Sequence, residues 1–111
     1  MRPKNYYGCA FNKDLKKDKR QAKWCNQRTD YGFDDTELWS LDVTLLLFLY
    51  PRLKKLAKLR AKTFVFETTD PVADLYNFLT PLYKHDKFNG LDMEDDKFLD
   101  LWEKAWGRLW Y

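Results

Sequence analysis

A helix-start signal followed at once by a long apolar run is the feature that most constrains the fold of this chain. In Phe33-Asp34-Asp35-Thr36-Glu37-Leu38, the Asp34 side chain is placed to accept hydrogen bonds from the free N–H groups of a first helical turn. Glu37, three residues on, is placed to accept the Asp34 N–H, and Phe33 and Leu38 occupy the positions of a hydrophobic staple. The sequence therefore predicts that a helix begins at Asp34.

The apolar residues after this start predict the core of the fold. Apolar residues spaced by three and four form one side of the predicted helix, and we expect this side to be buried. These residues are Leu38, Leu41, Leu45, Phe48 and Leu49. Leu46 and Leu47 widen this side until the segment is almost entirely apolar. Pro51 has no N–H to pair with the Leu47 carbonyl, and its ring crowds that turn. We therefore predict one central helix over residues 34–61, kinked at Pro51.

Two helices are predicted after the central one. Asp70-Pro71 has the pattern of an N-cap followed by proline at the first helical position, which predicts a helix over residues 71–84. Its apolar face consists of Val72, Leu75, Phe78, Leu79 and Leu82. The last helix is predicted over residues 92–110, with an inward stripe of Phe98, Leu101, Trp102, Ala105, Leu109 and Trp110. Trp102, Trp106 and Trp110, spaced by four, are expected to form a ladder along it.

The N-terminal third predicts less regular structure. Residues 1–11 follow neither the helical nor the strand period, so an extended arm is expected. Residues 12–27 are good helix formers and predict a basic helix whose inner side carries Phe11, Leu15, Ala22 and Cys25. Residues 63–68 are rich in β-branched and aromatic side chains, but a lone strand has no partner elsewhere in the chain, so an extended connector is predicted.

The overall prediction is an all-α fold. With 111 residues, of which 45% are apolar, the chain has the length and hydrophobicity of one domain with one core. We predict a single domain over residues 1–111, a small bundle of three to four helices. Twenty aromatic side chains exceed what so small a core is expected to hold, so some should lie on the surface, where aromatic residues favour interfaces. We expect Trp39, Trp102, Trp106 and Trp110 to be core residues rather than a platform for a cofactor.

Targeting and cysteine patterns favour a cytoplasmic protein. The N-terminus has no apolar segment typical of a secretory signal, and the longest apolar run, residues 45–50, is too short to span a bilayer, so no membrane partner is expected. Cys9 and Cys25 lie sixteen residues apart without further cysteines or a histidine cluster. Free thiols in a reducing cytosol are expected, although the spacing leaves a disulfide between them open.

Charge is unevenly distributed and gives a nucleic-acid hypothesis. Residues 1–33 hold nine Lys or Arg against three Asp, whereas residues 63–111 hold five against ten acids. The sequence has two basic stretches, the first from Lys13 to Arg28 and the second from Arg52 to Lys62. They contain the candidate residues for binding a partner or nucleic acid, namely Lys16, Lys17, Arg20, Lys23, Trp24, Arg52, Lys54, Lys55 and Lys58. Tyr6, Tyr7 and Trp24 are candidates for stacking on bases. Because basic helical faces are commonly just solvated and the pI is only about 8.8, solvation is the favoured interpretation.

Catalytic and metal sites are not indicated. Asp92, Glu94 and Asp96 resemble the beginning of a calcium loop, but Lys97 replaces the glycine that its sharp turn requires. His85, the only histidine, has no nucleophile motif beside it and is expected on the surface. We therefore predict no catalytic residue, no metal and no cofactor.

Asp42 is the one acid on the predicted core helix that stands among apolar residues. If it is buried it must be paired, and Arg28, Arg52 and Arg108 are the candidate partners. A structural ion pair is expected rather than a functional site. Together with Asp42, the residues predicted to be structural are Phe33, Asp34, Glu37, Leu38, Trp39 and Trp102.

The motif Gly32-Phe33-Asp34-Asp35-Thr36-Glu37-Leu38-Trp39-Ser40-Leu41-Asp42, followed by Tyr50-Pro51-Arg52-Leu53-Lys54, resembles a family of proteins. Its members are short proteins with no assigned activity, encoded in phage and prophage genomes and in uncultured bacterial contigs. The closing Leu99-Asp100-Leu101-Trp102 and Leu109-Trp110 are similar to the ends of those proteins. The resemblance covers roughly residues 20–62 and 97–110. It implies a phage or mobile-element origin and a bacterial host cytoplasm, and it carries over no functional residue.

Two functions remain open on this basis. The first hypothesis is a non-enzymatic phage accessory protein that binds a host protein or a protein–nucleic-acid complex, for example an inhibitor of an antiviral defence system such as CRISPR. It is based on the implied origin, the small size and the surplus of aromatic residues. The second is a phage nucleic-acid-binding protein that uses the basic helices.

Overall fold

The computed structural model describes residues 6–66, 69–89, 91–92 and 94–111. The four helices of these residues are α1 (Gln21–Tyr31), α2 (Leu41–Thr63), α3 (Pro71–Asp86) and α4 (Asp96–Ala105). Two short 3₁₀ turns, Lys13–Leu15 and Asp35–Leu38, precede α1 and α2. No strand occurs in this part of the chain. The all-α prediction is therefore confirmed.

The chain divides into two compact units, although one core was predicted. The N-terminal unit runs to Phe48 and the C-terminal unit comprises Leu49–Tyr111, so that α2 contributes to both. In the N-terminal unit, Tyr6, Ala10 and Trp24 form a buried cluster against which Leu15 packs. In the C-terminal unit, Leu53, Val72, Leu75, Leu79 and Phe88 are almost fully buried.

The predicted basic helix over residues 12–27 is interrupted. The Asp18 carboxylate accepts the Arg20 N–H at 2.8 Å, and the Gln21 N–H donates to the Asp18 carbonyl at 3.2 Å. Because a short acidic side chain that bonds the neighbouring backbone competes with the helix, α1 begins only at Gln21. It then continues to Tyr31, where Gly32 ends it at a φ of 84°. Of the predicted inner side, Leu15 packs against the buried cluster, but Phe11, Ala22 and Cys25 are exposed, and the buried residue of α1 is Trp24.

The helix start at Asp34 proves to be a 3₁₀ turn, and α2 begins at Leu41. Asp34 caps this turn by accepting the Thr36 N–H, as predicted. The Glu37 carboxylate, however, accepts the Tyr7 N–H at 2.9 Å. Glu37 therefore bonds Tyr7 and does not form the predicted capping box. The predicted staple residues, Phe33 and Leu38, are both exposed.

The buried side of α2 differs from the prediction. Leu38, Leu41, Leu45 and Phe48 are exposed, and the buried residues are Leu46, Tyr50, Leu53 and Arg60. These residues are also spaced by three, four and seven. Because the segment is apolar all round, its period fits either side equally well. The helix continues through Pro51 without interruption, and the predicted bend there stays a prediction.

Helix α3 agrees most closely with its prediction. Asp70 is its N-cap and accepts the Val72 N–H at 3.1 Å, and Pro71 stands in its first turn. Val72, Leu75 and Leu79 are completely buried. The helix passes through Pro81 and ends two residues later than predicted, at a left-handed cap at Lys87. Phe88 also has a positive φ, of 71°, and its ring is buried against Tyr50 and Tyr83.

Helix α4 is shorter than the predicted 92–110. Asp95 is its N-cap and accepts the N–H groups of Lys97 and Phe98 at 2.9 and 3.1 Å. Its buried residues, Phe98 and Ala105, belong to the predicted inward stripe, whereas Trp110 lies beyond the helix and is exposed.

The two segments predicted to be extended are described in part. Residues 1–5 of the predicted arm lie outside the described residues, and residues 6–11 pack into the N-terminal unit through Tyr6 and Ala10. The connector predicted over residues 63–68 is described to Phe66. Thr63 is still the last residue of α2, and residues 64–66 are neither helix nor strand.

Candidate partner-binding surfaces

The Asp34 carboxylate is the centre of a buried polar cluster in the N-terminal unit. Although Asp34 is completely buried, it accepts hydrogen bonds from Arg28 Nη1 at 2.5 Å, from the Tyr6 hydroxyl at 2.8 Å, and from the hydroxyl and N–H of Thr36. The Tyr6 hydroxyl also accepts the Ala10 N–H at 3.0 Å. We call this group the carboxylate cluster (Tyr6, Arg28, Asp34, Thr36). Every buried side-chain polar atom of the described residues has a hydrogen-bond partner, so the cluster is structural.

Ionisation of the carboxylate cluster follows from these contacts. Burial raises the pKa of Asp34, but the hydrogen bonds from Thr36, Arg28 and Tyr6 outweigh burial and hold this pKa below its ordinary value. Burial also raises the pKa of the Tyr6 phenol, and the neighbouring Asp34 contributes to that rise. The cluster is therefore a carboxylate with a neutral phenol at neutral pH.

One of the three candidate partners of Asp42, Arg28, is engaged elsewhere. Arg28 pairs with Asp34, and Asp42 is exposed and accepts the N–H of the next residue, Val43, at 2.8 Å. Since Asp42 is not buried, it needs no ion pair, and the buried acids of this region are Asp34 and Glu37 instead.

The first basic stretch is placed on the N-terminal unit and is partly neutralised. Lys16 and Lys17 are exposed. The Arg20 guanidinium pairs with Asp18 at 2.9 Å, and Lys23 pairs with Asp35 at 3.4 Å. The pairing with Arg20 lowers the pKa of Asp18 to about 2.

Trp24 and Tyr6 are unsuited to the stacking role proposed from sequence. Trp24 is only 1% exposed and contacts Trp39 edge-on at 5.7 Å, with the Arg20 guanidinium 4.9 Å from its ring centre. Tyr6 belongs to the carboxylate cluster and is also buried. The prediction that these rings stack on bases is therefore wrong, because a buried ring presents no face to a base.

Half-exposed apolar side chains stand on the first part of α2. Leu41, Leu45 and Phe48 are 56, 49 and 43% exposed, and their spacing of four and three places them on one side of the helix. We call them the α2 apolar stripe. Phe48 also contacts Tyr7, with ring centres 6.4 Å apart. Exposed apolar side chains grouped in this way are typical of interaction sites.

The second basic stretch lies on the C-terminal unit and differs from the first. Arg52, Lys54, Lys55 and Lys58 are exposed on α2. Among the described residues, none of the three lysines takes part in an ion pair. Tyr76 of α3 lies close to Lys54 and to Lys84, and neither Tyr76 nor Lys84 was predicted as a binding residue.

Arg60 belongs to the same basic run but is 3% exposed. Its Nε donates to the Asp70 carboxylate at 2.9 Å, and its Nη1 donates to the carbonyls of Arg108 and Trp110 at 2.8 and 2.5 Å. The rings of Phe64, Phe66 and Trp110 lie 5.1 to 5.5 Å from its guanidinium carbon. We call this group the guanidinium cluster (Arg60, Asp70 and the three rings). The sequence does not reveal the guanidinium cluster, because Arg60 stands among lysines that are exposed.

The tryptophan ladder of the last helix is present only in part. Trp102, which is half-buried, contacts Trp106 at 5.4 Å and Phe98 at 6.1 Å. Trp110 belongs to the guanidinium cluster and contacts Phe64 edge-on at 5.5 Å. Trp106 is 61% exposed and Trp110 57%, so two indoles of the row face solvent.

Two observations concern small-ligand and metal sites. An open surface cavity of about 380 Å³ is lined by Ala10, Phe11, Lys13, Lys16 and Gln21. The part of the chain that the structure describes contains no group of three or more His, Cys, Asp or Glu that is placed to hold a metal ion. Asp92 accepts the Glu94 N–H at 2.9 Å, and His85 is exposed, as predicted. Cys9 and Cys25 are free thiols.

Comparisons with protein-family models, with curated proteins and with solved structures give no match for this chain. Within the described residues, no helix combines the length and the apolar composition that crossing a bilayer requires.

Proposed function

We propose that this chain is a non-enzymatic accessory protein that binds a partner protein through the α2 apolar stripe. The single observation that carries the proposal is the exposure of Leu41, Leu45 and Phe48 on one side of α2. Burying the exposed half of such a side chain contributes about 1 kcal/mol. Three of them therefore supply a substantial part of the free energy of a specific complex.

The geometry of the stripe favours a helix as its partner. Side chains at positions i, i+4 and i+7 form a ridge along a helix, and such ridges pack into the groove of a second helix. The stripe extends for about 10 Å along the helix axis. Asp42, exposed on the same helical turn as Leu41, favours a partner with a basic residue at the edge of its apolar face. The proposed partner therefore presents an amphipathic helix with a basic flank.

The proposed partner is a protein of a bacterial host. Leu41 and Asp42 belong to the motif that resembles the phage and prophage proteins, and that resemblance implies a mobile-element origin. A protein of this kind acts by occupying a working surface of its target and needs no chemistry of its own. An inhibitor of an antiviral defence system such as CRISPR is one example of this function.

The proposal is tested by affinity capture from lysate of a bacterial host with three forms of the tagged chain. The forms are the wild type, a Leu41→Glu/Leu45→Glu variant, and a control Ala22→Glu/Asn26→Glu variant. The control changes two exposed positions of α1 and adds the same charge to the same unit. We expect one host protein with the wild type and the control, and its loss with the stripe variant. With the purified partner, titration calorimetry should give at least tenfold weaker binding for the stripe variant.

Two outcomes would contradict this function. One is a wild-type chain that captures no host protein beyond those captured by the stripe variant. The other is a concentration-dependent dimer in sedimentation that only the stripe variant abolishes, because the stripe would then belong to a second copy of the chain. Circular dichroism of all three forms checks that each is folded. Where a defence system is the target, plating of a sensitive phage should rise with the wild type and the control only.

A further inference from the structure

Three stacked tyrosines lie beside the second basic stretch, within the C-terminal unit. Tyr50 of α2 stacks against Tyr76 and Tyr83 of α3, with ring centres 5.2 and 4.5 Å apart and ring planes within 24° of parallel. The Tyr50 hydroxyl donates to Thr80 Oγ1 at 2.9 Å. Tyr50 is buried, whereas Tyr76 and Tyr83 are each partly exposed. The stack therefore holds two partly exposed rings in fixed positions on the surface.

Positive charges from two helices converge on Tyr76. A hydrogen bond with Tyr50 lowers the pKa of the Tyr76 phenol, and Thr80, Lys54 and Lys84 lower it further against the opposing effect of burial. Lys54 belongs to α2 and Lys84 to α3, so the packing of the two helices brings two ammonium groups near one phenol. The sequence separation of these residues hides this arrangement from any local motif.

The exposed lysines of α2 and α3 are available to a ligand. Lys54, Lys55, Lys58 and Lys84 are all exposed, and the ion pairs of the described residues leave all four unpaired. Arg60, on the same stretch of α2, shows the contrast, because it is buried and pairs with Asp70. Two of these unpaired cations, Lys54 and Lys84, lie near the partly exposed Tyr76 ring, and Lys55 and Lys58 belong to the same stretch of α2 as Lys54. This combination favours a polyanion that also carries flat, apolar groups.

We propose that Tyr76 with Lys54, Lys55, Lys58 and Lys84, which we call the tyrosine–lysine face, binds single-stranded nucleic acid. The lysines contact the phosphates, and a base stacks on the exposed part of the Tyr76 ring. A duplex would engage the lysines but keep its bases inside the helix, and an acidic protein would engage the lysines alone. Only a single strand uses both parts of the face. The inference is independent of the proposed function, which concerns the N-terminal unit.

The first test is fluorescence anisotropy of the full chain with a labelled oligothymidylate of about twelve nucleotides at two salt concentrations. If four lysines contact phosphates, the slope of log affinity against log salt is about −2.8 for a single strand. The affinity should then fall roughly 50-fold between about 50 and 200 mM salt. A flat salt dependence, or a duplex of the same length that binds as tightly, overturns the inference.

Matched lysine variants locate the binding. Lys54→Gln/Lys84→Gln should flatten the salt slope by about 1.4, because two phosphate contacts are lost. The control is Lys97→Gln/Lys104→Gln, which removes the same charge from exposed positions of α4. The control should keep the wild-type slope. Equal slopes for the two double variants would show that only net charge matters, and would overturn the inference.

Two variants of Tyr76 separate stacking from charge. Tyr76→Phe keeps the ring and should bind as the wild type does, whereas Tyr76→Leu should bind roughly 5- to 150-fold more weakly. Wild-type affinity of a folded Tyr76→Leu variant contradicts stacking. If circular dichroism shows that this variant is unfolded, the lysine variants and the duplex comparison decide. Polyglutamate that competes as well as the oligonucleotide would assign the face to an acidic protein and overturn the inference.

Discussion

In the N-terminal unit the central buried charge is the carboxylate of Asp34, and in the C-terminal unit it is the guanidinium of Arg60. Each has an oppositely charged partner, Arg28 for the first and Asp70 for the second. The carboxylate is otherwise held by hydroxyl groups and an N–H. The guanidinium is otherwise held by main-chain carbonyls near the C-terminus and by aromatic rings.

The difference shows how each unit fixes its chain. The carboxylate cluster ties Tyr6 to the turn that begins at Asp34, almost entirely through side chains. The guanidinium cluster ties α2 to Arg108 and Trp110 through carbonyl oxygens that no substitution removes. Single substitutions can therefore remove the hydrogen-bond donors of the carboxylate cluster one at a time, whereas the guanidinium cluster depends on Arg60 itself.

The largest effects are expected from removing each central charge. Asp34→Ala leaves Arg28 without its buried partner, and Arg60→Ala leaves Asp70 without its own. Breaking a buried pair from one side costs about 3–5 kcal/mol. Hydrogen exchange read by mass spectrometry should show protection lost first in the N-terminal unit for Asp34→Ala and first in the C-terminal unit for Arg60→Ala.

The exposed pair of Asp18 and Arg20 provides the control for both variants. Asp18→Ala should unfold in urea with a midpoint close to that of the wild type, because solvent screens an exposed pair. Loss of protection in the same unit for both Asp34→Ala and Arg60→Ala would remove the contrast between the two clusters.

A smaller effect is expected from Gly8→Ala, which probes the packing of the carboxylate cluster without removing a charge. A Cβ on Gly8 would overlap Thr36 Oγ1 and lie 2.5 Å from the Tyr6 hydroxyl oxygen, both of which are held by hydrogen bonds. Overpacking of this kind costs about 1–3 kcal/mol. Gly107→Ala is the control, since a Cβ there meets nothing within 4 Å. Equal midpoints of urea unfolding for the two variants would contradict this packing.

Tyr6→Phe should destabilise the N-terminal unit by about 1–2 kcal/mol. It removes one donor from Asp34 and the acceptor of the Ala10 N–H, which is buried. The matched control is Tyr31→Phe, because Tyr31 is 69% exposed and its variant should unfold as the wild type does. Thermal unfolding followed by circular dichroism measures the difference. A Tyr6→Phe midpoint equal to that of Tyr31→Phe would contradict the stabilising role of the Tyr6 hydroxyl.

The smallest effect is expected from mild acid. Because the pKa of Asp34 is lower in the folded than in the unfolded chain, its contribution to stability is complete above the ordinary carboxyl pKa of about 4. It is lost as the pH falls through the lower, folded-state pKa. Between neutral pH and about pH 4, the unfolding free energy of the wild type should fall by little more than the unfolding free energy of Asp34→Ala. Below that the two unfolding free energies should converge, and curves that stay parallel would contradict the lowered pKa.

The agreement between prediction and structure differs from helix to helix for physical reasons. Asp70-Pro71 began a helix where predicted, because a cap and a fixed proline φ act locally. Asp34 formed its predicted cap, but Glu37 bonded Tyr7, thirty residues away, and no local pattern contains that competitor. Of the candidate binding residues, Lys54, Lys55 and Lys58 are exposed as required, whereas Trp24 is buried. Tyr76 and Lys84 became candidate binding residues only because the packing of α2 and α3 brings Lys54 close to Tyr76.

The sequence by itself determined that this chain is helical and where α3 begins, because helical period, caps and proline act within a few residues. Only the tertiary structure decided which side of α2 is buried and that Asp34 and Arg60 form buried ion pairs. The run from Leu45 to Leu49 is apolar on every side, so its local pattern fits more than one rotation about the helix axis. Contacts from residues distant in the chain select one rotation, and that choice leaves Leu41, Leu45 and Phe48 exposed.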